Sequence, residues 1–166
     1  MSLDFNAAFA IGPGYHGKDW LRDELAREAD PIRRVVGRYR HRWRAKTWEV
    51  ERGRDEMVNI VGPGGFAFTI SACAVSLYHL LPFRVFTSDE AQRDLLRGAC
   101  AAIAELLGSP RVIYVHELVM ASFYGGIDLD GIEADLRAKF GAPAATFEAL
   151  DAAENFGSGC WYVEQL

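Results

Sequence analysis

Short runs of alternating apolar and polar residues, separated by glycine-rich turns, most strongly constrain the fold of this 166-residue chain. Met57–Val61 predicts one strand, Gly62–Gly65 predicts a tight turn, and the alternation in Phe66–Ile70 predicts the next strand. The apolar run continues to Leu81, either as one long bent strand or as two strands joined near Ala72–Ala74. Because short turns join antiparallel neighbours, the pattern indicates an antiparallel meander.

Two further segments extend this predicted sheet. Arginines alternate with aromatic residues in Arg38–Lys46, which predicts a strand with one basic face. The alternation then changes phase, and a bulge near Ala45–Thr47 would account for the extra residue. Phe83–Phe86 is predicted as a short fourth strand. The predicted meander therefore covers about residues 38–86.

Apolar residues recur at helical spacing in several segments that lie next to capping or stop signals. Helices are predicted over Lys18–Ala29 with Asp19 as N-cap, from the capping sequence Thr87-Ser88-Asp89-Glu90 to Leu107, from Asp128 or Asp130 to Phe140, and over Thr146–Ala153. Further strands are predicted near Val112–Val115 and Cys160–Val163. Hairpin-connected strands followed by helices indicate a single α+β domain over residues 1–166, with a largely antiparallel sheet covered by helices.

The segment Gly12–Lys18 nearly matches the loop that wraps nucleotide phosphates with backbone N–H groups. That loop also needs serine or threonine after the lysine, to hold Mg²⁺, and this chain has Asp19 there. A carboxylate would put negative charge where the phosphates must lie. Gly14, Gly17 and Lys18 are therefore only candidate anion-binding residues, and we favour a glycine-rich turn between a strand and a helix.

His116 and Glu117 are the candidate catalytic residues, because they follow the predicted strand Val112–Val115. A histidine and a glutamate at a strand end can serve as general base and partner. The zinc-protease helix motif begins with the same pair but fails here, since the second histidine is absent. Polar residues leaving a sheet are the commoner explanation. The cysteines lack a metal-binding spacing, so we predict no metal site and no cofactor.

Arg40, Arg42 and Arg44 are the remaining candidate anion-binding residues. In a regular strand their side chains lie on the face opposite the interleaved aromatic residues, such as Trp43. Nucleic-acid grooves use basic and stacking side chains together, so this arrangement and the net charge of −5 argue against a nucleic-acid partner. An anionic protein or a small anion fits the basic face as well.

The net charge hides a strong asymmetry along the chain. Residues 1–54 carry twelve basic and eight acidic side chains, whereas residues 112–166 carry two basic and nine acidic ones. Such halves attract each other, within one subunit or between subunits. We therefore expect the segment Arg38–Lys46 to face acidic groups of the C-terminal half.

The composition places the chain among soluble globular proteins. No segment offers the roughly 20 apolar residues of a membrane helix, and no signal peptide is recognisable. The abundance of arginine and alanine suggests a GC-rich bacterial genome. We therefore expect a bacterial protein located in the cytoplasm, without a membrane partner.

Two functions from different classes follow from these patterns. The first is a protein-binding or inhibitory module of the immunity type, which acts on another protein or assembles with itself. The acidic C-terminal half would suit the neutralisation of a basic toxin. The alternative is a small enzyme or a nucleotide- or anion-binding protein that uses the Gly12–Lys18 loop together with His116 and Glu117. A cleft joining that loop to the end of the Val112–Val115 strand would favour the alternative.

Overall fold

Strand β1 (Asp4–Ala10) lies between two strands that are distant from it in sequence. In the computed structural model, which describes residues 3–42, 45–54, 57–116, 126–150 and 157–166, it pairs antiparallel with β5 (Ala74–Pro82) and β6 (Arg111–His116). The other strands are β2 (Glu49–Arg52), β3 (Val58–Val61), β4 (Phe66–Ile70) and β7 (Tyr162–Gln165). The sheet order is β2-β3-β4-β5-β1-β6-β7, and all neighbouring pairs are antiparallel.

Helices cover both faces of this sheet. The described helices are α1 (Lys18–Ala26), α2 (Asp30–Tyr39), α3 (Phe83–Ser88), α4 (Glu90–Leu107) and α5 (Leu129–Phe140). Phe5, Ala7 and Phe9 of β1 belong to the larger core, which α1–α4 cover. Ala8 belongs to a smaller core that α5 covers from the opposite face. The predicted α+β fold with an antiparallel sheet is thus confirmed.

The apolar run that begins at Phe66 forms two strands, β4 and β5, which resolves the alternative left open by the sequence. The turn between them is held by Ser71, whose Oγ accepts hydrogen bonds from the backbone N–H groups of Cys73 and Ala74 at 3.3 and 3.1 Å. A serine that bonds to its own local backbone in this way favours a turn over a continuous strand.

The predicted basic strand over Arg38–Lys46 is wrong. Arg38 lies in the last turn of α2, and residues 40–42 form a 3₁₀ turn. The helix forms because Ile32, Val35, Val36 and Tyr39 recur at helical spacing and are buried in the larger core. Pro31 occupies the first turn of α2, where it needs no N–H partner. The bulge predicted near Ala45–Thr47 is wrong as well, since no strand includes these residues.

Phe83–Phe86 is helical as part of α3, and the predicted fourth strand there is wrong. Phe83 and Phe86 lie three residues apart, so a helix can bury both rings in the same core, where a strand could not. Asp89, and not Thr87, is the N-cap of α4, because its side chain accepts a hydrogen bond from the backbone N–H of Gln92 at 3.1 Å.

The remaining helix boundaries differ from the prediction in smaller ways. Gly17, and not Asp19, precedes α1 as the N-cap, and α1 ends at Ala26. Asp128, one of the two candidates, caps α5 by accepting a hydrogen bond from the backbone N–H of Gly131 at 2.8 Å. Residues 146–150 form turns and no helix, and the rest of that predicted helix lies outside the described residues.

Two glycines in and beside α2 allow a paired test of this packing. Gly64 has a φ of +73°, and a Cβ there would lie 2.4 Å from the Cα of Val36, whereas a Cβ at the exposed Gly37 would meet nothing within 4 Å. Gly64→Ala should therefore lower the free energy of unfolding by about 2 kcal/mol or more, through strain and overlap.

The matched variant, Gly37→Ala, should raise it by about 0.5–1 kcal/mol, because alanine is the better helix former. Urea denaturation of both variants is the measurement. Equal effects of the two substitutions would contradict the described packing of α2 on the β3–β4 turn.

Candidate functional site

The glycine-rich loop after β1 packs against the C-terminal end of α4. The backbone N–H of Gly12 donates a hydrogen bond to the carbonyl oxygen of Leu107 at 2.9 Å. A Cβ at Gly12 would lie 2.5 Å from the Gly108 carbonyl oxygen, and one at Gly14 would lie 2.9 Å from the Leu106 carbonyl oxygen. The glycines are therefore explained by close packing. Because a helix C-terminus carries partial negative charge, this is also a poor place for a phosphate.

Gly17 and Lys18 lie beyond that contact, at the start of α1. Gly17 has a φ of +96°, which favours glycine over other residues, and Lys18 is exposed. The Lys18 side chain lines a hollow of about 380 Å³ together with other residues of the loop and the strand ends. Of the candidates in the loop, Lys18 borders this hollow, whereas Gly14 and Gly17 do not line it.

A second hollow, of about 330 Å³, adjoins the first. The first is lined by Ile11, Tyr15, Lys18, Val58, Ile70 and the Ser71–Ala72 turn. The second is lined by Lys18, Val50, Glu51, Arg52, Met57 and Val58. Since they share Lys18 and Val58, they form one groove between the N-terminus of α1 and the ends of β2, β3 and β4, which we call the Lys18 groove.

His116 lies far from this groove. In the antiparallel pairing of β1 with β6, Phe5 is opposite His116 and Phe9 is opposite Val112. The glycine loop follows Ala10, so about four residues of strand, roughly 13 Å, separate the two ends. The structure does not bring Gly14, Gly17 and Lys18 together with His116. Glu117 lies outside the described residues, and His116 is fully buried, with its ring 5.9 Å from that of Phe83.

A second buried histidine, His79, is held as a neutral ring. Its Nε2 lies 2.8 Å from the carbonyl oxygen of Gly64, and its Nδ1 accepts a hydrogen bond from the backbone N–H of Leu81 at 3.1 Å. Burial lowers the pKa of His79 to about 4, against a smaller opposite effect of the Gly64 carbonyl. The alternation of β5 places His79 on the buried face, but the sequence alone gave no partner for it.

A polar network joins α4, β6 and β7. The Tyr114 hydroxyl donates a hydrogen bond to the Glu164 carboxylate at 2.7 Å. The Arg97 guanidinium forms an ion pair with the same carboxylate at 2.5 Å, and it lies 4.0 Å from the ring centroid of Phe147. Burial raises the pKa of Tyr114 well above its usual value and also raises that of the Cys100 thiol. The Tyr114 hydroxyl and the Cys100 thiol therefore stay protonated, and we assign both a structural role. Sequence reasoning missed this network because its members are far apart in the chain.

Of the arginines predicted to bind anions, Arg40 is exposed in the 3₁₀ turn that follows α2. Arg34 and Arg38 of α2, with Arg40 of the following 3₁₀ turn, are exposed, and none of them forms an ion pair with another described residue. We call these three residues the arginine surface. The backbone of Arg42 lies in the 3₁₀ turn, and Arg44 lies outside the described residues.

The acidic residues of α5 lie on the opposite face of the sheet from α2. Asp130 and Glu133 pair with Arg111 at 2.5 and 3.0 Å, and Asp135 pairs with Lys139 at 2.9 Å. Within one subunit, and for the residues that the structure describes, the acidic side chains of α5 make no ion pair with the basic segment; a contact between subunits stays a prediction. The carboxylates of α5 are largely balanced by cations of their own neighbourhood.

Other kinds of site receive no support from the described part of the chain. None of its helices has the length and apolar character needed to cross a bilayer. No three of its histidine, cysteine, aspartate and glutamate side chains come together as a metal-binding group. In comparisons with known proteins, no family model, curated protein or solved structure matches this chain.

The neutral state of His79 makes stability depend on pH. Its folded pKa of about 4 lies below the unfolded value of 6.5, so its contribution is present above pH 6.5 and is lost as the pH falls toward 4. Between pH 7 and pH 5 we expect the free energy of unfolding to fall by about 2 kcal/mol through this group.

Urea titrations at both pH values check this expectation. In His79→Gln the decrease should be smaller by that amount, whatever the absolute stability of the variant. The control, His41→Gln, changes an exposed ring and should keep the parent's pH dependence. An unchanged decrease in His79→Gln would mean that His79 is not held neutral.

The packing of the glycine loop predicts that it serves stability and does not bind nucleotides. Gly12→Ala should lower the free energy of unfolding by about 1–3 kcal/mol, because its Cβ overlaps the end of α4. Lys18→Ala should change it by less than about 0.5 kcal/mol, because Lys18 is exposed.

Titration calorimetry with Mg²⁺-ATP and Mg²⁺-GTP should detect no binding to the parent protein. Micromolar binding that Lys18→Ala removes would show that the missing hydroxyl at Asp19 matters less than we infer.

Proposed function

We propose that this protein is a protein-binding module that holds an acidic partner against the arginine surface. The observation that carries the proposal is the exposed charge of Arg34, Arg38 and Arg40, which form no ion pair with a described carboxylate. Arg34 and Arg38 lie one turn apart on α2, where like charges cost about 0.2–0.5 kcal/mol. Such a surface lowers stability slightly and attracts anions over several ångströms.

The placement of charge favours a different protein over a second copy of this chain. The arginine surface and the acidic residues of α5 lie on opposite faces of the sheet. A contact between them would join unlike surfaces of two copies, and such contacts form rings or open filaments more readily than dimers. The carboxylates of α5 are also engaged with Arg111 and Lys139. An inhibitory role remains part of the proposal, with an acidic target in place of a basic toxin.

Several observations favour binding over catalysis. The glycine loop is hydrogen-bonded to the C-terminal end of α4, and His116 of β6 pairs with the opposite end of β1. His79 is hydrogen-bonded at both ring nitrogens, and burial keeps the Tyr114 hydroxyl protonated. These groups are occupied by packing and hydrogen bonding, whereas a general base needs a pKa near the working pH and access to substrate.

A site-specific cross-linking experiment tests the proposal. Gly37 lies between Arg34 and Arg38 on α2, is exposed, and has open space around its Cα, so a photoreactive p-benzoylphenylalanine fits there. The same residue at the exposed Ala138 of α5 is the control. In cells of the source organism, we expect an acidic protein to cross-link at position 37 and not at position 138.

The neutral variant Arg34→Gln/Arg38→Gln/Arg40→Gln should lose this cross-link and should melt at the same or a slightly higher temperature, since like charges are removed. The purified partner should bind the parent protein in a salt-dependent manner, because screening shortens from about 10 Å at 0.1 M to about 3 Å at 1 M salt. Cross-links to nucleic acid alone, or equal cross-linking at both positions, would refute the proposal. A marked loss of stability in the variant would show that these arginines pair within the protein.

A further inference from the structure

We propose that the Lys18 groove binds a medium-chain aliphatic carboxylate, with its alkyl chain on an apolar floor and its carboxylate between Lys18 and Arg52. This inference is independent of the partner proposed for the arginine surface. The two hollows of the groove, about 380 and 330 Å³, have the size of small-ligand sites.

The floor of the groove is a cross-strand row. Arg52 of β2 pairs with Val58 of β3, and Val58 pairs with Ile70 of β4. Val58 and Ile70 pack against the larger core, so this row lies on the helix-facing side of the sheet. Neighbouring strands are about 4.8 Å apart, and the row therefore spans roughly 10 Å from its cationic end to its apolar end. An extended eight-carbon chain has a similar length.

Two cationic side chains line the groove and can attract an anion. Lys18 lines both hollows and Arg52 lines the outer one, and neither forms an ion pair with another described residue. The only carboxylate among the described lining residues, Glu51, pairs with Asn59 in the sheet. Because side chains alternate along a strand, Glu51 is directed away from the face that carries Arg52.

A hydrogen-bond donor lines the first hollow of the groove together with Lys18. Tyr15 is half-buried beside the groove, and burial, followed by the charge of Asp19, raises the pKa of its hydroxyl. The hydroxyl is therefore protonated at neutral pH and can donate to a carboxylate oxygen. The Tyr15 ring also packs edge-on against Trp20, with 6.1 Å between ring centroids. A ligand that moves Tyr15 should change the fluorescence of Trp20.

The shape of the groove favours a slender small molecule over a folded protein surface. Val58 and Ile70 form one cross-strand row in its floor, and Ile11 lines the same hollow. An alkyl chain fits such a row. Ligands with about ten heavy atoms bind weakly, and we expect a dissociation constant on the order of 1 mM for octanoate.

Octanoate is the probe, and tryptophan fluorescence together with amide chemical shifts is the readout. Octanoate should shift the amides of residues 15–20 and of the strand ends around Val58 and Ile70. Acetate, which lacks the chain, and octylamine, which carries the opposite charge, should each bind at least about tenfold more weakly. Lys18→Ala should weaken octanoate binding about three- to fivefold, as expected for a partly exposed ion pair.

Lys139→Ala, on α5 at the opposite face, is the matched control and should leave octanoate binding unchanged. The arginine-surface variant Arg34→Gln/Arg38→Gln/Arg40→Gln should also leave it unchanged, which separates this site from the proposed partner surface. No binding at about 20 mM octanoate, equal binding of octylamine, or no effect of Lys18→Ala would overturn the proposal. Tighter binding of a tripeptide ending in leucine would identify a peptide chain end as the occupant and would also overturn it.

Discussion

The antiparallel pairing of β1 with both β5 and β6 is the constraint on which the rest of the structure depends. Because β1 is buried on both faces, its alternate side chains hold two layers in place, α1–α4 on one face and α5 on the other. The register of β1 with β6 also fixes how far the glycine loop lies from His116. The glycine loop leaves one end of β1, and His116 pairs with the other end. The register of the central strand therefore keeps the glycine loop and His116 too far apart to form one catalytic site.

The same constraint distributes the charge. The layer that carries α2 presents unbalanced arginines, while the layer that carries α5 pairs most of its described carboxylates with its own cations. An exposed cationic surface that pairs with no described carboxylate can attract an acidic partner. In the glycine loop, by contrast, the backbone N–H of Gly12 already donates a hydrogen bond to the last turn of α4. Recognition by charge is thus better supported than chemistry at the loop.

The sequence predicted those elements whose signals are local. The Gly62–Gly65 turn between alternating runs predicted β3 and β4, and the two candidate caps Asp128 and Asp130 predicted the start of α5 to within two residues. The strand predicted over Arg38–Lys46 is wrong because alternating aromatic and basic side chains fit a strand as well as the end of a helix. Only the burial of Ile32 and Val35 decides between them. The Lys18 groove and the contact of Tyr114 with Glu164 could not be predicted, since pairing of distant strands creates them.

The central claim is that acidic partners bind at α2 and not at the glycine loop. An amide chemical-shift titration with a short polyglutamate peptide at low ionic strength tests it most directly, because one experiment observes both regions. The account predicts the largest shifts at residues 33–41, and these shifts should disappear as salt is raised. Shifts concentrated at residues 12–19 together with residues 112–116 would contradict it, because they would place an anion site at the loop and at the strand that ends in His116.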